Sequence, residues 1–311
     1  MYDELTRLAV ARVPFLFYTD FKGEKLHLFK LDELEQHGIS YQINTKLSSL
    51  NEKYLFQKRP VSFESYKTKF SKVIEKIKEG KTYLLNLTQP TSIECQLTLE
   101  EIYKRAVAPF KLQVGNQFTC FSPERFIKIE NCRISTFPMK GTIDASIPNA
   151  EAKILANPKE MAEHIMIVDL LRNDLGIVAK DIRVDKFRYT EKIKAGKKEL
   201  IQVSSQISGD LGEDWRSKLG ETIKSLLPAG SISGTPKKST VTIIEEIEGY
   251  ERGYFTGVFG VYDGDVLESG VMIRFIENQD GKLVYKSGGG ITLDSDAESE
   301  YKEMIDKIYI V

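Results

Sequence analysis

The stretch 258–290, VFGVYDGDVLESGVMIRFIENQDGKLVYKSGGG, decides the fold class. Asp263-Gly264 and Asp280-Gly281 each lie between runs rich in β-branched and aromatic residues. An Asp-Gly step so placed is a strong hairpin signal, because both central residues of a type I′ turn need positive φ. The C-terminal third therefore reads as an antiparallel meander. Working outward, helical periodicity is clearest in 62–79, SFESYKTKFSKVIEKIKE. Phe63, Tyr66, Phe70, Val73, Ile74 and Ile77 fall on one face there, with Ser62 as N-cap and Gly80 as stop. Segments 99–107, 158–175, 215–226, 238–248 and 298–309 read the same way. Strands and helices come in blocks without strict alternation, which favours α+β over a doubly wound parallel sheet.

Composition narrows the function classes. At roughly 150 residues per domain, 311 residues make about two units or one large layered domain. Linkers, low-complexity tracts and short repeats are absent from the sequence, so one compact body is expected. A balance of 44 basic against 45 acidic residues, net −1, argues against nucleic-acid binding through a basic face. No apolar run reaches the roughly 18 residues of a membrane span, and MYDELTRLAV carries no secretory h-region. Cys95, Cys120 and Cys132 are odd in number and lack CxxC spacing, so neither a disulfide framework nor a thiolate metal site is indicated. The expectation is a soluble, cytoplasmic enzyme.

Several tempting motifs fail. PAGSISGTPKKS (228–239) lacks P-loop spacing, since Thr235-Pro236 displaces the lysine. Its Gly230-Ser231-Ile232-Ser233-Gly234 core has isoleucine where a nucleophile elbow needs serine. Gly288-Gly289-Gly290 ends a strand without opening a dinucleotide-binding unit. Three histidines (His27, His37, His164) leave almost no room for a histidine-based zinc site.

Paired carboxylates are more informative. Glu160 and Glu163 lie three apart, as do Glu300 and Glu303, so each pair projects from one helix face. Two such pairs facing one cavity would make a hard, oxygen-only site suited to Mg²⁺. Glutamates at this spacing are also common on solvated helix faces, and spacing alone leaves both readings open. The run Ile165-Met166-Ile167-Val168, apolar all round, suggests that the first helix is buried. A further pairing comes from 122–142, SPERFIKIENCRISTFPMKGT, which reads as a hairpin turning at 130–133. Glu124 and Lys140 are both eight residues from Cys132, which puts them opposite each other. They could form an ordinary cross-strand salt bridge or an amine nucleophile with a carboxyl acid/base beside it.

These segments carry a family resemblance. SPERF, PMKGT, AEHIMIVDLLRNDLG, PAGSISGTPK, RGYFTGVFG, IRF and GGGITLDSDAESEYKEMIDK occur in order over residues 60–311. In sequence and spacing they resemble the chorismate-binding enzymes, which include anthranilate synthase large subunits, isochorismate and salicylate synthases and aminodeoxychorismate synthase component I. The resemblance implies a single large α+β domain with two antiparallel β-sheets packed between helices. Residues 1–60 would be a reduced N-terminal part and 60–311 the chorismate-binding catalytic region.

Within the family, Lys140 stands where anthranilate and isochorismate synthases usually carry alanine, and it resembles the lysine of the aminating branch. The resemblance then implies that Lys140 attacks ring carbon 2 of chorismate while Glu124 protonates the departing 4-hydroxyl. Ammonia enters at carbon 4, giving 4-amino-4-deoxychorismate on the route to para-aminobenzoate and folate. Leu84 stands where isochorismate-forming relatives place a water-activating lysine and others glutamine. Gln202 stands where anthranilate synthases carry histidine. By the same resemblance Glu163 and Glu303 would ligate Mg²⁺, with Glu160 and Glu300 as outer ligands. Arg274 would hold a carboxylate, and Gly141, Thr142, Gly288, Gly289, Gly290, Ser231, Ser233, Tyr254 and Lys307 would contact substrate. Nothing in the sequence resembles a glutaminase, so a separate glutamine amidotransferase subunit is the implied ammonia source. Anthranilate synthase component I and a non-catalytic chorismate-binding subunit remain as alternatives.

Overall fold

Both Asp-Gly steps lie in hairpin turns, but only Asp280-Gly281 has positive φ at both residues. In the computed structural model, which describes residues 1–44, 54–195 and 198–310, Asp280 and Gly281 take φ of 50° and 85°. They join strands Phe275–Gln279 and Lys282–Ile291 through the Gln279–Lys282 pair. At the other step, the Asp263 carboxylate accepts the N–H groups of Asp265 and Val266 at 2.9 and 2.7 Å, closing Val258–Tyr262 onto Leu267–Val271. The expected meander is corrected, because the two hairpins belong to different sheets. The chain changes sheet at 272–274, where Arg274 adopts a φ of 52°.

The fold is α+β with two antiparallel sheets, and the chain forms two compact units. The first unit comprises Met1–Phe15, Glu124–Leu227 and Gly260–Ser269. Its strands run in the order Met139–Asp144, Lys198–Asp210, Arg133–Thr136, Arg125–Glu130, Leu267–Val271, and Lys180–Ala195 also pairs with Lys198–Asp210. Helix Pro158–Val178 packs on this sheet. Asn157 caps it, its side-chain oxygen accepting the N–H groups of Lys159 and Glu160 at 3.0 and 3.3 Å. Its buried face is His164, Ile167, Val168, Leu170, Leu171, Asp174 and Leu175. Ile165 and Met166 are exposed, at 50% and 37%. The expectation of burial all round is therefore corrected: the sheet covers only one side of the helix.

The second unit comprises Leu16–Pro123, Pro228–Phe259 and Gly270–Val311. Its sheet runs Gly234–Thr235, Leu84–Cys95, Lys282–Ile291, Phe275–Gln279, Phe118–Ser122, Phe110–Val114, Ile39–Ile43, with Phe56–Arg59 also on Leu84–Cys95. Helices Phe63–Lys78, Lys237–Glu248 and Ala297–Asp306 match the expected segments within a few residues. Ser62 caps the first of them through the N–H of Ser65, and Gly80 follows its end with a φ of 70°. No helix among the described residues is long and apolar enough to cross a membrane, and all three cysteines are free.

A buried ionic network ties the second unit together. Glu248 and Arg252 are 1% and 4% exposed. The guanidinium donates to both Glu248 oxygens, at 2.7 and 2.9 Å, and to the carbonyls of Asn86 and Ile232 at 2.6 and 2.9 Å. Glu248 also accepts the Thr88 N–H and hydroxyl, each at 2.8 Å. A charge pair out of water stabilises only when its remaining hydrogen-bonding capacity is filled, and here it is. Arg252→Met would leave Glu248 as an unpaired buried charge. We expect this change to cost about 3–5 kcal/mol, read as a lower denaturant midpoint; an unchanged midpoint would contradict the network's role.

Lys111 provides a contrast. It is 4% exposed and its ammonium lies 4.6 Å from the centroid of Tyr103. Burial lowers its pKa to about 8. Between that value and its ordinary 10.5, the unfolded chain holds a proton that the folded chain has shed, so stability should rise with pH across this window. Lys111→Met should remove that rise. A pH-stability curve of unchanged slope in the variant would refute the assignment.

Candidate active site

Lys140 sits on a β-bulge of the first unit. Met139 pairs with Ser204 and Thr142 with Gln202, so Lys140 and Gly141 share the space opposite Val203. A bulge inserts one unpaired residue and re-aims its side chains. Gly141 takes a φ of 97°, which favours glycine, and a Cβ there would lie 3.0 Å from Glu160 Oε2. The bulge is thus pressed against helix Pro158–Val178. The Lys140 ammonium meets Glu163 Oε2 at 2.9 Å, with the two side chains 38% and 20% exposed. Lys159 reaches the other Glu163 oxygen at 3.9 Å.

The next residue of the helix holds the lysine backbone. His164, fully buried, has Nδ1 3.2 Å from the Lys140 carbonyl oxygen and Nε2 2.7 Å from Ser205 Oγ. Burial is the main cause lowering its pKa; the Lys140 carbonyl opposes this and Arg188 adds to it. Motif reading noted His164 only in discounting zinc. The available signal was its place on a buried helix face, one residue after Glu163.

The hairpin around 130–133 forms, with Asn131 and Cys132 at φ of 50° and 62° and the pairs Glu130–Arg133, Ile129–Ile134 and Lys128–Ser135. Beyond it the continuous ladder assumed in the count is interrupted. The second strand breaks at Phe137-Pro138, and Lys140 continues along Lys198–Asp210. Glu124 lies half-buried just before strand Arg125–Glu130.

In the second unit, the glycine run closes strand Lys282–Ile291. Gly288, Gly289 and Gly290 pair with Thr88, Leu87 and Asn86. A Cβ on Gly289 would lie 3.2 Å from Glu300 Oε2, 3.8 Å from Glu303 Oε1 and 3.8 Å from Lys307 Nζ. Lys307 pairs with Glu303 at 2.6 Å and donates to the Gly288 carbonyl at 3.0 Å. Glu300 accepts from Ser295 at 2.9 Å. The Tyr66 hydroxyl is buried with no hydrogen-bond partner among the described residues, and its pKa is driven up by burial and then by Glu300 and Glu303. This corner thus collects two carboxylates, an ammonium and strand backbone around a glycine. On the opposite face of the strand, a Cβ on Gly290 would lie 3.1 Å from Leu84 Cδ1.

The remaining residues of the second unit have diverse surroundings. Arg274 is half-buried, with Nε 3.3 Å from the Tyr309 hydroxyl and its guanidinium 5.2 Å from that ring's centroid. Ser231 is half-buried in the turn Gly230–Ser233. Ser233 is fully buried and donates to the Ala229 carbonyl at 2.8 Å. The hydroxyl expected to contact substrate is therefore committed to the turn. Tyr254 bonds His27 at 2.7 Å and stacks on Phe118.

Each carboxylate pair faces a glycine, Gly141 or Gly289, and in each pair a lysine already meets one glutamate, Lys140 on Glu163 and Lys307 on Glu303. Among the described residues no three Asp, Glu, His or Cys side chains gather closely enough to hold a metal ion.

The family model of chorismate binding enzymes matches residues 13–311. The chain belongs to that family. A Haemophilus influenzae protein described as an uncharacterized PabA-like protein is 46% identical over 303 residues, 96% of this chain and 92% of the relative. Aminodeoxychorismate synthase component 1 of Bacillus subtilis is 33% identical over 302 residues, and that of Escherichia coli is 34% identical over 263. These alignments take in 90% and 79% of this chain but only 62% and 52% of the relatives. In fold, the family member resembles anthranilate synthase component I of Streptococcus pneumoniae (TM-score 0.68, 24% identity, 81% of this chain and 58% of the other). It also resembles the menaquinone-specific isochorismate synthase of Escherichia coli (TM-score 0.68, 15% identity, 98% and 89%).

Proposed function

We propose that this chain aminates chorismate at carbon 4, as an aminodeoxychorismate synthase component acting with Mg²⁺. The observation that carries the reading is the Lys140 amine, raised on a glycine-backed bulge in a chorismate-binding family member. Relatives one-third identical bear the aminodeoxychorismate synthase name, which supports the same branch.

Lys140 acts as nucleophile. As the ion-paired partner of Glu163, Lys140 is not yet a nucleophile. The 2.9 Å ion pair therefore belongs to the resting state, and Lys140 must leave it and lose a proton before attack. The amine then bonds to carbon 2, the ring double bond shifts, and the 4-hydroxyl departs as water with a proton from Glu124. Ammonia bonds to carbon 4 and its extra proton returns to Glu124, the double bond shifts back, and the lysine leaves carbon 2 with the bonding pair as the free amine. The net change is chorismate plus ammonia to 4-amino-4-deoxychorismate plus water. Glu160, Glu163, Glu300 and Glu303 are the proposed Mg²⁺ carboxylates, and the ion would offset the charge of the ring carboxylate. Arg274 suits a substrate carboxylate through its planar donors. A separate glutamine amidotransferase subunit is the proposed source of ammonia.

Incubation with chorismate, Mg²⁺ and ammonium, with product identified by mass, tests the reading. We expect aminodeoxychorismate from ammonium alone, and from glutamine only once an amidotransferase is added. Anthranilate as product, or no turnover, would overturn it. Lys140→Ala should lower the rate at least about a hundredfold, more than the roughly 1 kcal/mol of an exposed ion pair can explain. Glu163→Gln and chelation by EDTA should each remove most activity with the fold intact, and full activity in both would sink the metal assignment.

A further inference from the structure

We infer that His164 is a positioning residue that fixes the Lys140 backbone so that the lysine side chain is presented from the bulge. The inference rests on the reading of Lys140 as the reacting amine. It starts from a buried polar group which that chemistry leaves unused.

Hydrogen-bond accounting assigns the ring's protons. The Lys140 carbonyl can only accept, so the His164 nitrogen facing it at 3.2 Å, Nδ1, must carry hydrogen. Ser205 Oγ already accepts the Arg188 backbone N–H at 2.9 Å. Its own hydrogen is therefore available for Nε2 at 2.7 Å. One consistent chain results: Arg188 N–H to Ser205, Ser205 O–H to Nε2, and Nδ1–H to the Lys140 carbonyl. Ser205 thereby selects the tautomer that grips the lysine backbone.

Arg188 anchors this chain. Its guanidinium donates to the carbonyls of Leu155 and Ile154 at 2.7 and 3.0 Å, near the C-terminal end of helix Ala150–Ala156. That helix packs on the strand carrying Lys140, and Ile154 lies 3.4 Å from where a Gly141 Cβ would stand. The carbonyl grip is needed because a bulge leaves residues without regular ladder partners. Consecutive residues of one helix thus hold one lysine at two points: Glu163 takes the ammonium and His164 the carbonyl.

A displacement of about 1 Å of a reacting group can cost about a hundredfold in rate, so loss of the grip should show in turnover more than in binding. The test compares His164→Leu, which removes both ring hydrogen bonds, with His164→Asn, which keeps a short side-chain donor. Each is made in the full chain and again in a Lys140→Ala background. Aminodeoxychorismate formation with saturating Mg²⁺ and ammonium gives kcat and the KM for chorismate, and thermal unfolding reports the fold. We expect His164→Leu to lower kcat at least about tenfold with KM within about twofold. His164→Asn should recover much of the loss, and residual turnover of Lys140→Ala should fall no further when His164 is also changed. Unchanged kcat in His164→Leu overturns the inference, as does an equal drop in both backgrounds, which would mark general damage. Full activity in Lys140→Ala sinks the nucleophile reading itself and is distinguishable from either. If His164→Leu does not fold, Ser205→Ala serves instead: a severalfold loss of kcat at unchanged KM supports the relay, and wild-type kcat overturns it.

Discussion

Arg252 and Glu248 meet where water does not reach, and the second unit is organised around that pair. One guanidinium joins a helix-terminal carboxylate to the carbonyls of Asn86 and Ile232, while the same carboxylate binds the backbone and hydroxyl of Thr88. Lys286 extends the network, reaching Glu277 at 2.9 Å and the Arg252 carbonyl at 2.9 Å. Four separate sequence segments are thereby locked to one another by directional bonds that a purely apolar core would lack. The locked segments include strand Leu84–Cys95, which pairs with the glycine run. The corner of Glu300, Glu303 and Lys307 thus rests on a strand whose position is set by a charge pair on its other face.

The first unit meets a different demand. Lys140 projects from an irregular backbone, and irregular backbone lacks ladder bonds. Helix Pro158–Val178 makes up for this with adjacent residues of opposite character. Glu163 is partly exposed and charged, while His164 is buried and held in one tautomer by Ser205. The His164 bond to the carbonyl is as directional as one in a strand ladder, so the bulge gains definition without becoming regular.

Much of this was legible from residue order. Asp-Gly steps, the Ser62 cap and the helical stripes depend on interactions within a few residues, and those elements formed where expected. Less legible was Lys140. Hairpin arithmetic counts from one turn and assumes continuous strands; Phe137-Pro138 breaks that continuity, and proline cannot donate to a ladder. The lysine lies past that break on Met139–Asp144, which follows Arg133–Thr136 along the same neighbour Lys198–Asp210, and Glu163 from a helix meets it there. The meander failed for a similar reason: the two hairpins are local facts, but which sheet each joins is not.

By itself, the sequence determined the α+β class, most of the helices and the two Asp-Gly hairpins, because these follow from short-range sterics and periodicity. Tertiary structure alone decided which side chains meet. It paired Lys140 with Glu163, turned Ser233 inward, made His164 a backbone anchor and set Leu84 against Gly290. These outcomes depend on a bulge, a sheet crossing and the packing of a helix against a strand. Each is fixed by contacts between residues distant in the chain, which no local pattern encodes.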